Sequence, residues 1–533
     1  MNPPTDDNVD EALQPILSDH EIQMLYNIFW GKSLNILDTV LDGSFFRYID
    51  LAVNMPTLLH NEHLVILSQY EYFLQRIKAI KESPRRTAGV VLLGNPGIGK
   101  SSFLIFMLLH CLVNRNRVVW ASRGDVYVLN PNGVFTIRSG THLRMYFNRP
   151  AYEGVLALVD SDEKSEEPDP GLVHSRLFAV HATSPQQGRY KNWVKQRMAI
   201  SLVMEPPTVD DMHALMSLRF PDCVRSRVEA AMATYGGNSR TIVEVFEFSN
   251  GVSLQEVRIK NSLQSLSFSQ LEQLIRDPHD GDKNITHALI QSTSSRPPPQ
   301  IGDPRYLAPD MMVHSFASRY IWKLVYQRFM DSSLQEMRRL FVSLAGLTSA
   351  GATRGWIFEA WCHDRLCQAE IALELTEMVR DSSSLAKGVN TRSLLFGQKR
   401  KFKIFPTSTR IADTKDTSKY YVPQKGNNPT FDSFLHISDE VGIGFQMTIS
   451  SDHTLEPKGL RILAQRLGTN EHLFVFVIPT GHSFRCKNPP KHWMSKFKFY
   501  TLEVDFNHPV HEMDTSLDPE EPSDVDMDIM DSE

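Results

Sequence analysis

Hydrophobic and polar positions alternate along the chain in a way that predicts strands and helices in regular succession. Residues 90–93 form an uninterrupted apolar run, which is typical of a buried strand, and the largely apolar segment 102–113 predicts a helix. Further short apolar runs at 117–121, 154–159 and 176–181 predict more strands of the same kind. A chain that alternates buried strands with helices is expected to form an α/β domain with a parallel sheet.

The patterns on either side of this region divide the rest of the chain. The triple proline at 297–299, within a stretch rich in Asp, Gly, Ser and Pro, predicts a linker between two domains. We predict a disordered acidic N-terminus (1–20), a helical lead-in (21–86), the first α/β domain with a helical extension (87–277), a linker (278–305), a helical segment (306–350), a second α/β domain (351–505) and an acidic disordered tail (506–533).

Composition and charge add few restrictions on function. The chain has 533 residues, of which 41% are hydrophobic and 22% are charged, as in ordinary globular domains. Ten of its 62 acidic residues lie in 511–533 and five lie in 1–20, so residues 21–510 hold 47 acidic against 56 basic residues. This mild basic excess is compatible with a polyanionic partner such as DNA, but it does not demonstrate one.

Targeting signals and cysteine usage point to the inside of a cell. Residues 1–20 lack the basic start of a signal peptide, and no apolar run reaches membrane-spanning length. Five cysteines in a chain of this length do not make a disulfide framework, and the spacing of Cys362 and Cys367 is not that of a zinc site. We expect an intracellular protein with no membrane partner.

A phosphate-loop pattern follows the first buried strand. Gly94 to Ser101 match G-x-x-x-x-G-K-[ST], and the pattern stands between a predicted strand and a predicted helix, as its chemistry requires. The glycines let backbone N–H groups face a phosphate chain, Lys100 adds a mobile positive charge, and the Ser101 hydroxyl can bind Mg²⁺. The residues predicted to bind ATP here are Gly94, Asn95, Pro96, Gly97, Ile98, Gly99, Lys100, Ser101 and Ser102.

Three residues further along are predicted to complete this site. Asp160 ends a predicted strand, where its carboxylate can join the Mg²⁺ shell with Ser101. Thr183, or its neighbour Ser184, ends another strand and could reach the γ-phosphate or the attacking water, and Arg240 opens a helix as a sensing cation. An ordinary loop acid, an unliganded turn and a surface arginine are the respective alternatives.

The residue after Asp160 argues against rapid hydrolysis. Many phosphate-loop ATPases place a glutamate there to orient water, whereas this chain has Ser161, with Asp162 one position further on. Hydrolysis is expected to be slow or to use Asp162, so a nucleotide switch is as plausible as a motor. The sequence does not decide between an adenine and a guanine nucleotide, although it contains no guanine-recognition motif.

A second group of polar residues lies in the C-terminal part. A predicted helix carries Glu359 and His363 at i, i+4 spacing, and Asp432 follows a long variable stretch. Period-two spacing puts Gln446 and Thr448 on one face of a strand. The order helix, strand, strand, helix, strand resembles the restriction-endonuclease-like fold, in which a helix acid, a strand acid and an E-x-K pair assemble around Mg²⁺.

The resemblance assigns roles to these residues but is incomplete. It implies that Glu359 and Asp432 hold a second metal ion, with Gln446 and Thr448 standing where the E-x-K pair is expected. Neither can supply the charge of Glu or Lys, and Lys458 on the next helix could replace the missing lysine. A domain that binds without cutting and a purely structural sheet remain alternatives.

With both sites in view, the chain resembles the Crinkler and retrotransposon-hot-spot group, in particular a fungal member of it. In that group a phosphate-loop ATPase precedes a restriction-endonuclease-like domain. The motifs that carry the resemblance are Gly94 to Ser101, 158–161, 182–185, Tyr190 with Trp193, 236–237 with Arg240, and Glu359, Asp432, Gln446 and Thr448. The resemblance implies an effector or conflict-type protein that acts in the nucleus on DNA.

One feature of the sequence departs from this group, and a second bears on where in the cell the protein acts. Residues 1–60 have no counterpart of the ubiquitin-like segment with a Leu-rich translocation motif that is typical of secreted Crinklers, so secretion into a host is not supported. Lys399, Arg400, Lys401 and Lys403 could form a nuclear-import patch, but a solvated charged run is the favoured interpretation.

The sequence therefore predicts an α/β protein, a P-loop NTPase with a parallel sheet plus a C-terminal α/β restriction-endonuclease-like domain. ATP and Mg²⁺ are the expected cofactors, DNA is a possible partner, and the protein partners are unknown. The first domain is expected to regulate a nuclease-like or DNA-binding second domain. A non-enzymatic interaction switch with a degenerate nuclease fold is the alternative.

Overall fold

The fold is known for most of the chain from a computed structural model. It describes residues 12–41, 44–52, 62–84, 87–161, 167–276, 288–330, 351–367, 371–396, 400–405, 416–423 and 430–505. The acidic tail, Asp162 and Lys399 lie outside these residues, as do residues 1–11 of the predicted disordered N-terminus.

The region before the phosphate loop is not wholly helical. Its elements are β1 (Leu13–Pro15), α1 (Glu21–Phe29), β2 (Ile36–Leu41), β3 (Ser44–Asp50), β4 (His63–Ile66) and α2 (Tyr70–Glu82). The prediction of a helical lead-in was therefore wrong for β2, β3 and β4, which form an antiparallel three-stranded sheet rich in β-branched and aromatic residues. The predicted disorder over 1–20 was also wrong at β1, which pairs with a later strand.

The first large sheet contains the phosphate loop. The elements in chain order are β5 (Gly89–Leu93), α3 (Lys100–Val113), β6 (Val118–Ser122), β7 (Asp125–Asn130), β8 (Gly133–Ile137), α4 (Leu143–Phe147), β9 (Leu156–Asp160), α5 (Pro170–Val173), β10 (Phe178–Thr183), α6 (Lys191–Arg197) and β11 (Ile200–Val203). The strand order is β1-β8-β7-β6-β9-β10-β5-β11. Strands β6, β9, β10, β5 and β11 run parallel, which confirms the predicted α/β class with a parallel-rich sheet.

Parallel pairing brings the predicted site residues to one edge of this sheet. Asp160 and Thr183 stand at the last positions of β9 and β10; β10 lies beside the strand that leads into the phosphate loop, and β9 lies beside β10. Their register follows from near-continuous apolar runs that are buried on both faces, because any slip would place polar residues in the core.

The helical extension leads into a hairpin rather than a linker. Helices α7 (Val209–Arg219), α8 (Arg225–Tyr235), α9 (Ser239–Glu247), α10 (Gly251–Ser265) and α11 (Phe268–Arg276) precede the strands β12 (Ile290–Ser294) and β13 (Met312–Phe316), which are followed by α12 (Arg319–Met330). The described part of the predicted linker, 288–305, therefore forms structure.

Paired strands and a buried ion pair hold this segment. Strands β12 and β13 pair antiparallel, and the Arg76 guanidinium, only 1% exposed, binds Asp310 at 2.9 Å. Asp310 also accepts a hydrogen bond from the backbone N–H of Val203 on the edge strand β11. Composition alone gave the wrong assignment because these partners are distant in sequence.

The C-terminal part is built on a second large sheet. Its elements are α13 (Gly351–Cys367), β14 (Ile371–Asp381), β15 (Ser384–Phe396), β16 (Lys401–Phe405), β17 (Lys419–Pro423), β18 (Ser433–His436), β19 (Val441–Met447), β20 (Asp452–Thr454), α14 (Pro457–Leu467), β21 (Glu471–Pro479), β22 (Arg485–Lys487) and β23 (Phe497–Val504). The strand order is β16-β17-β18-β19-β21-β23-β14-β15-β22-β20. Elements α13, β18, β19, α14 and β21 follow the predicted order, with additional strands between and after them.

The helical extension and the C-terminal sheet share one hydrophobic core. A single cluster of buried side chains runs from Met212 and Val228 through Phe316 and Trp322 to Phe358 and the strand residues of the second sheet. A continuous core lets a displacement in one part be felt in the other, because protein interiors are closely packed. Within the described ranges, no helix is both long enough and apolar enough to cross a membrane.

Candidate functional site

The phosphate loop has the backbone conformation that its glycines predict. Gly97 and Gly99 have φ values of 77° and 98°, in the left-handed region that favours glycine. Space is also restricted there, because a Cβ atom on Gly99 would lie 2.7 Å from the Tyr70 hydroxyl oxygen. That hydroxyl donates to the Gly99 carbonyl at 2.7 Å, so Tyr70 of α2 holds the loop at the start of α3.

Lys100 is held in the loop by backbone carbonyl groups. Its side chain is 9% exposed, and its ammonium donates to the carbonyls of Gly94 at 2.8 Å and Asn95 at 2.7 Å. Burial lowers the pKa of Lys100 to about 7, although the nearby Asp160 carboxylate opposes this shift. An anionic phosphate would both replace the carbonyl partners and favour the charged ammonium.

Ser101 and Asp160 meet as the sequence predicts. The Ser101 hydroxyl donates to the Asp160 carboxylate at 3.0 Å. Burial raises the pKa of Asp160, while the bond from Ser101 and the charge of Lys100 oppose the rise. A hydroxyl and a carboxylate are oxygen ligands of the kind that Mg²⁺ prefers, and Mg²⁺ takes its remaining ligands from water and phosphate. The pair therefore fits a magnesium ion.

A serine and a histidine stand where a glutamate would orient water. The Ser161 hydroxyl and His181 Nε2 lie 2.5 Å apart, and burial lowers the pKa of His181 to about 3. His181 is thus neutral near pH 7 and is a weak base. Thr183 is 2% exposed, and its hydroxyl, like that of Ser184, has no hydrogen-bond partner among the described residues. The alternative residue that the sequence offered, Asp162, lies outside those residues.

The helical extension brings Arg240 to the loop. Ser239 donates from its backbone N–H to the Gly97 carbonyl at 2.9 Å, and the Asn238 side chain caps α9 by accepting from the Arg240 backbone N–H. The charges of Arg240 and Arg189 both lower the pKa of Lys100, which indicates that three cations gather at this position. Sequence reasoning missed Arg189, whose available signal was its place just after the 182–185 motif.

Two cavities adjoin the phosphate loop on different sides. One has a volume of 100 Å³, and its lining includes Leu67, Tyr70, Gly99, Ser102 and Met212. The other has a volume of 510 Å³ and is lined by residues of the loop, of α9 and α10, and of the strand β12. The larger cavity adjoins the loop at Asn95, Pro96 and Ile98.

The C-terminal centre is built around Glu359. In α13, His363 Nε2 lies 3.2 Å from the Glu359 carboxylate, and the Arg319 guanidinium of α12 pairs with the same carboxylate. The Glu359 and Arg319 side chains are 13% and 14% exposed, so this is a nearly buried ion pair. Burial lowers the pKa of His363 to about 3, so the ring is neutral and donates to Glu359.

A series of hydrogen bonds fixes the orientation of that ring. His363 Nδ1 lies 2.8 Å from the Tyr420 hydroxyl, which lies 2.6 Å from the Ser433 hydroxyl. Because Nε2 donates to Glu359, Nδ1 accepts from Tyr420, whose oxygen in turn accepts from Ser433. Every member of this series thus has a partner without an added ion.

Asp432 and Gln446 also converge on this centre. The Gln446 side-chain amide donates to the Asp432 carboxylate at 2.8 Å, and the Met447 backbone N–H donates to the same oxygen at 2.7 Å. Burial raises the pKa of Asp432, and the positive charge of Arg319 opposes the rise. Gln446 Oε1 is buried and has no hydrogen-bond partner within the described ranges.

The other two predicted residues take no part in these contacts. The Thr448 hydroxyl accepts from the Ser450 backbone N–H at 3.0 Å in a local turn. Lys458 is exposed on the first turn of α14, and none of the hydrogen bonds or ion pairs of the described part involves it. In that part of the chain, no group of three His, Cys, Asp or Glu side chains is arranged to hold a metal ion.

Sequence reasoning missed Arg319, whose cation pairs with Glu359 and whose charge acts on Asp432, the two acids expected to bind a metal. Arg319 precedes the buried Trp322 by three residues, so the two share one helix face. A charged residue on an apolar face was the available signal. The prediction of a solvated charged run around Lys399, Arg400, Lys401 and Lys403 was wrong for Arg400, which is only 5% exposed.

A Crinkler effector is similar to most of this chain in sequence. The chain is 22% identical over 422 residues to Crinkler effector protein 16 of Phytophthora infestans, an alignment that covers 75% of this chain. The chain spans 60% of that relative's length. The relative comes from an oomycete rather than a fungus, so the similarity supports a Crinkler-like relation and no closer assignment. No family model matches the sequence.

Solved structures with partial similarity include three proteins. They are the RuvB Holliday junction branch migration motor of Thermotoga maritima (13% identity, 41% of this chain and 73% of that chain, TM-score 0.22), AMPPCP-bound DnaA from Aquifex aeolicus (10%, 41% and 76%, 0.23) and Cdc6p from Pyrobaculum aerophilum (12%, 53% and 98%, 0.25). TM-scores this low carry no argument about the fold or function of the chain.

Proposed function

We propose that this protein is an ATP-binding switch that hydrolyses ATP weakly and regulates its own C-terminal domain. The observation that carries the proposal is the geometry at Lys100, Ser101 and Asp160, where a buried ammonium, a hydroxyl and a carboxylate meet at the mouth of a glycine loop. Backbone amides at the start of α3 add the positive end of a helix dipole. A Mg²⁺-bound triphosphate satisfies all of these groups together.

Weak hydrolysis follows from the residue beside Asp160. The neutral His181 that contacts Ser161 is too weak a base to accept a proton from water near pH 7. Nucleotide would therefore stay bound for long periods relative to a motor protein, which suits a switch. The similarity to a Crinkler effector supports an effector role inside a cell, and action in the nucleus remains a prediction that imaging of the tagged protein can test.

The C-terminal domain is proposed to bind a partner, with DNA the favoured candidate because of the resemblance to a nuclease fold. Arg319 already neutralises Glu359, and Gln446 replaces an acid beside Asp432, so few negative charges are left for a metal ion. Metal-dependent DNA cleavage is the second candidate function. The convergence of Asp432 with the unpaired Gln446 Oε1 favours it, because both are buried oxygen ligands.

Titration of the purified protein with ATP, with and without Mg²⁺, tests the first proposal. We expect Mg²⁺-dependent binding that Lys100→Ala abolishes and that Lys78→Ala, a change at an exposed lysine on α2, leaves intact. Equal binding by both variants would contradict the proposed phosphate site.

Incubation of plasmid and linear DNA with the protein and Mg²⁺ separates the two C-terminal functions. Binding without cleavage supports the switch, whereas cleavage that is lost in Asp432→Ala supports the nuclease. Cleavage retained in Asp432→Ala would contradict the assignment of this centre to catalysis.

A further inference from the structure

Asn95 joins the phosphate loop to the hairpin β12–β13. Its side-chain amide donates to the Ile290 carbonyl at 2.7 Å, and its amide oxygen accepts from the Ser292 backbone N–H at 2.6 Å. An asparagine that makes both bonds takes the place of a neighbouring strand along β12. The hairpin β12–β13 is therefore joined directly to the loop.

The same asparagine is a partner of the lysine that would bind phosphate. Lys100 donates to the Asn95 backbone carbonyl at 2.7 Å. Because a phosphate competes for the Lys100 ammonium, nucleotide binding would remove one of the bonds that hold Asn95 in its present position. Nucleotide binding would thus affect the residue, Asn95, that joins the hairpin to the loop.

The hairpin leads without interruption to Arg319. Strands β12 and β13 pair from Ile290 with Phe316 to Ser294 with Met312, and Ser292 also contacts His314 at 3.0 Å. Ser318 then caps α12 by accepting from the Ile321 backbone N–H at 3.1 Å. Arg319 is the first residue of that helix, so a displacement of the hairpin reaches its guanidinium, although Ser318 also donates to the Thr234 carbonyl of α8 at 2.6 Å.

There is space for the hairpin to move at the end next to the loop. The cavity of 510 Å³ is lined by Asn95, by Ile290 and Gln291 of β12 and by Ala317 after β13, so β12 is not closely packed on that side. The other end is fixed, because the Ser294 backbone N–H donates to Glu205 at 2.6 Å. This arrangement favours rotation about the Ser294 end over translation of the whole hairpin.

From these contacts we infer that the hairpin β12–β13 transmits phosphate occupancy to the C-terminal centre. Phosphate draws Lys100 from Asn95, the hairpin shifts into the cavity, and the contact of Arg319 with Glu359 weakens. ATP thereby exposes Glu359, with which Arg319 pairs, and frees Asp432 from the charge of Arg319. The inference rests on the proposed ATP binding and names the element through which that binding acts.

Hydrogen exchange of the full-length protein with and without Mg²⁺ and ATP tests the first half of this inference. We expect ATP to accelerate exchange at the amides of 290–294 and 318–322. In Asn95→Ala these amides should exchange fast already, with no further change on adding ATP. Asn114→Ala, a matched change at an exposed asparagine after α3, should respond as the unmodified protein does.

Thermodynamic reciprocity gives a second test, at the contact of Arg319 with Glu359 in the C-terminal centre. If ATP weakens the Arg319–Glu359 contact, then loss of that contact must tighten ATP binding by the same factor. The double variant R319Q/E359Q removes both charges of this pair, so neither is left buried without the other; Glu359→Gln keeps the side-chain volume and Arg319→Gln reduces it. We expect the Kd for ATP to fall about fivefold or more.

The outcomes distinguish this inference from the proposed function. If the unmodified protein binds no ATP, the proposed function fails and the coupling fails with it. If ATP binds but the exchange at 290–294 and 318–322 is unchanged, or if R319Q/E359Q binds ATP with unchanged affinity, the coupling alone is wrong.

Discussion

The two polar centres of this protein place a buried carboxylate near a cation but differ in how the cation is held. In the phosphate loop, Lys100 donates to two backbone carbonyls and its pKa is lowered by burial. In the C-terminal centre, Arg319 pairs with the carboxylate of Glu359. The first cation gains stability from an added anion, whereas the second is already neutralised. The comparison indicates that the first centre has room in its charge balance for an added anion, whereas the charge of the second is already matched by Arg319.

The acids of the two centres support the same distinction. Burial raises the pKa of both Asp160 and Asp432, so each carboxylate opposes folding while it is charged. A raised pKa stabilises the folded protein at low pH. This contribution is lost as the pH rises from the pKa of the unfolded state through the pKa of the folded state. Asp432 is compensated by Arg319 and two hydrogen bonds, whereas Asp160 keeps capacity for Mg²⁺.

Removing the charge of Glu359 should lower the stability of the protein more than the other changes proposed below. Glu359→Gln leaves the Arg319 guanidinium nearly buried without its partner charge, and we expect the free energy of unfolding to fall by about 3 kcal/mol. Asp160→Asn in the loop should instead leave the ligand-free protein as stable or more stable, because it removes a charge that opposes folding. Urea denaturation measures both changes.

Two controls sharpen this result. Glu440→Gln, at an exposed position, should change stability little. The double variant R319Q/E359Q should recover part of the loss, because neither member of the pair is left charged alone, while Asp432 keeps only its two hydrogen bonds. A loss in Glu359→Gln no larger than in Glu440→Gln would mean that the two centres do not differ as described.

A smaller effect is expected at the position after Asp160. Ser161→Glu places a carboxylate where water can be oriented and should raise the turnover of ATP by about a hundredfold, since this is the usual size of a positioned general base. Ser161→Ala should change turnover little, because the present pair with the neutral His181 is a poor base. Rapid turnover in the unmodified protein, or a large loss in Ser161→Ala, would contradict the assignment of a slow switch.

The phosphate centre could be predicted from sequence because its determinants are local. The glycine pattern fixes the loop, and parallel strands that end in Asp160 and Thr183 must bring those residues to the same sheet edge. The helix–strand order around Glu359 and Asp432 could be predicted for the same reason. Each of these inferences uses only spacing within one element or the register of buried strands.

The elements that were missed are of two kinds. Strands β2 and β3 pair from Leu41 with Ser44, so their determinant is local, and the Asp42-Gly43 sequence between them was the available signal. The hairpin β12–β13 is stabilised by pairing and by the nearby buried pair of Arg76 with Asp310, which composition does not encode. Arg319 is a similar case, because its role comes from its contact with Glu359 in another helix rather than from any motif. Long-range polar contacts therefore account for the hairpin β12–β13 and for Arg319, but not for the pairing of β2 with β3.

The weakest effect is expected in the pH dependence of ATP binding at the phosphate loop. The pKa of Lys100 is about 7 in the ligand-free protein, and bound phosphates would raise it because they favour the charged ammonium. Binding of ATP should therefore take up about half a proton at pH 7 and close to one at about pH 8.5, but almost none at about pH 5.5. Affinity should fall by up to about tenfold per pH unit above pH 7 for the same reason.

Calorimetry in buffers of different ionisation enthalpy measures this uptake directly, so it does not depend on fitting a pH profile. Ser101→Ala is the matched variant, since it removes a metal ligand but leaves Lys100 between the same carbonyls, and it should keep the proton uptake while the Mg²⁺ dependence weakens. Uptake that stays near zero at about pH 8.5 would mean that Lys100 is fully charged before ATP arrives. In that case the carbonyls of Gly94 and Asn95 satisfy the ammonium as completely as Glu359 satisfies Arg319, and the contrast between the two centres would be lost.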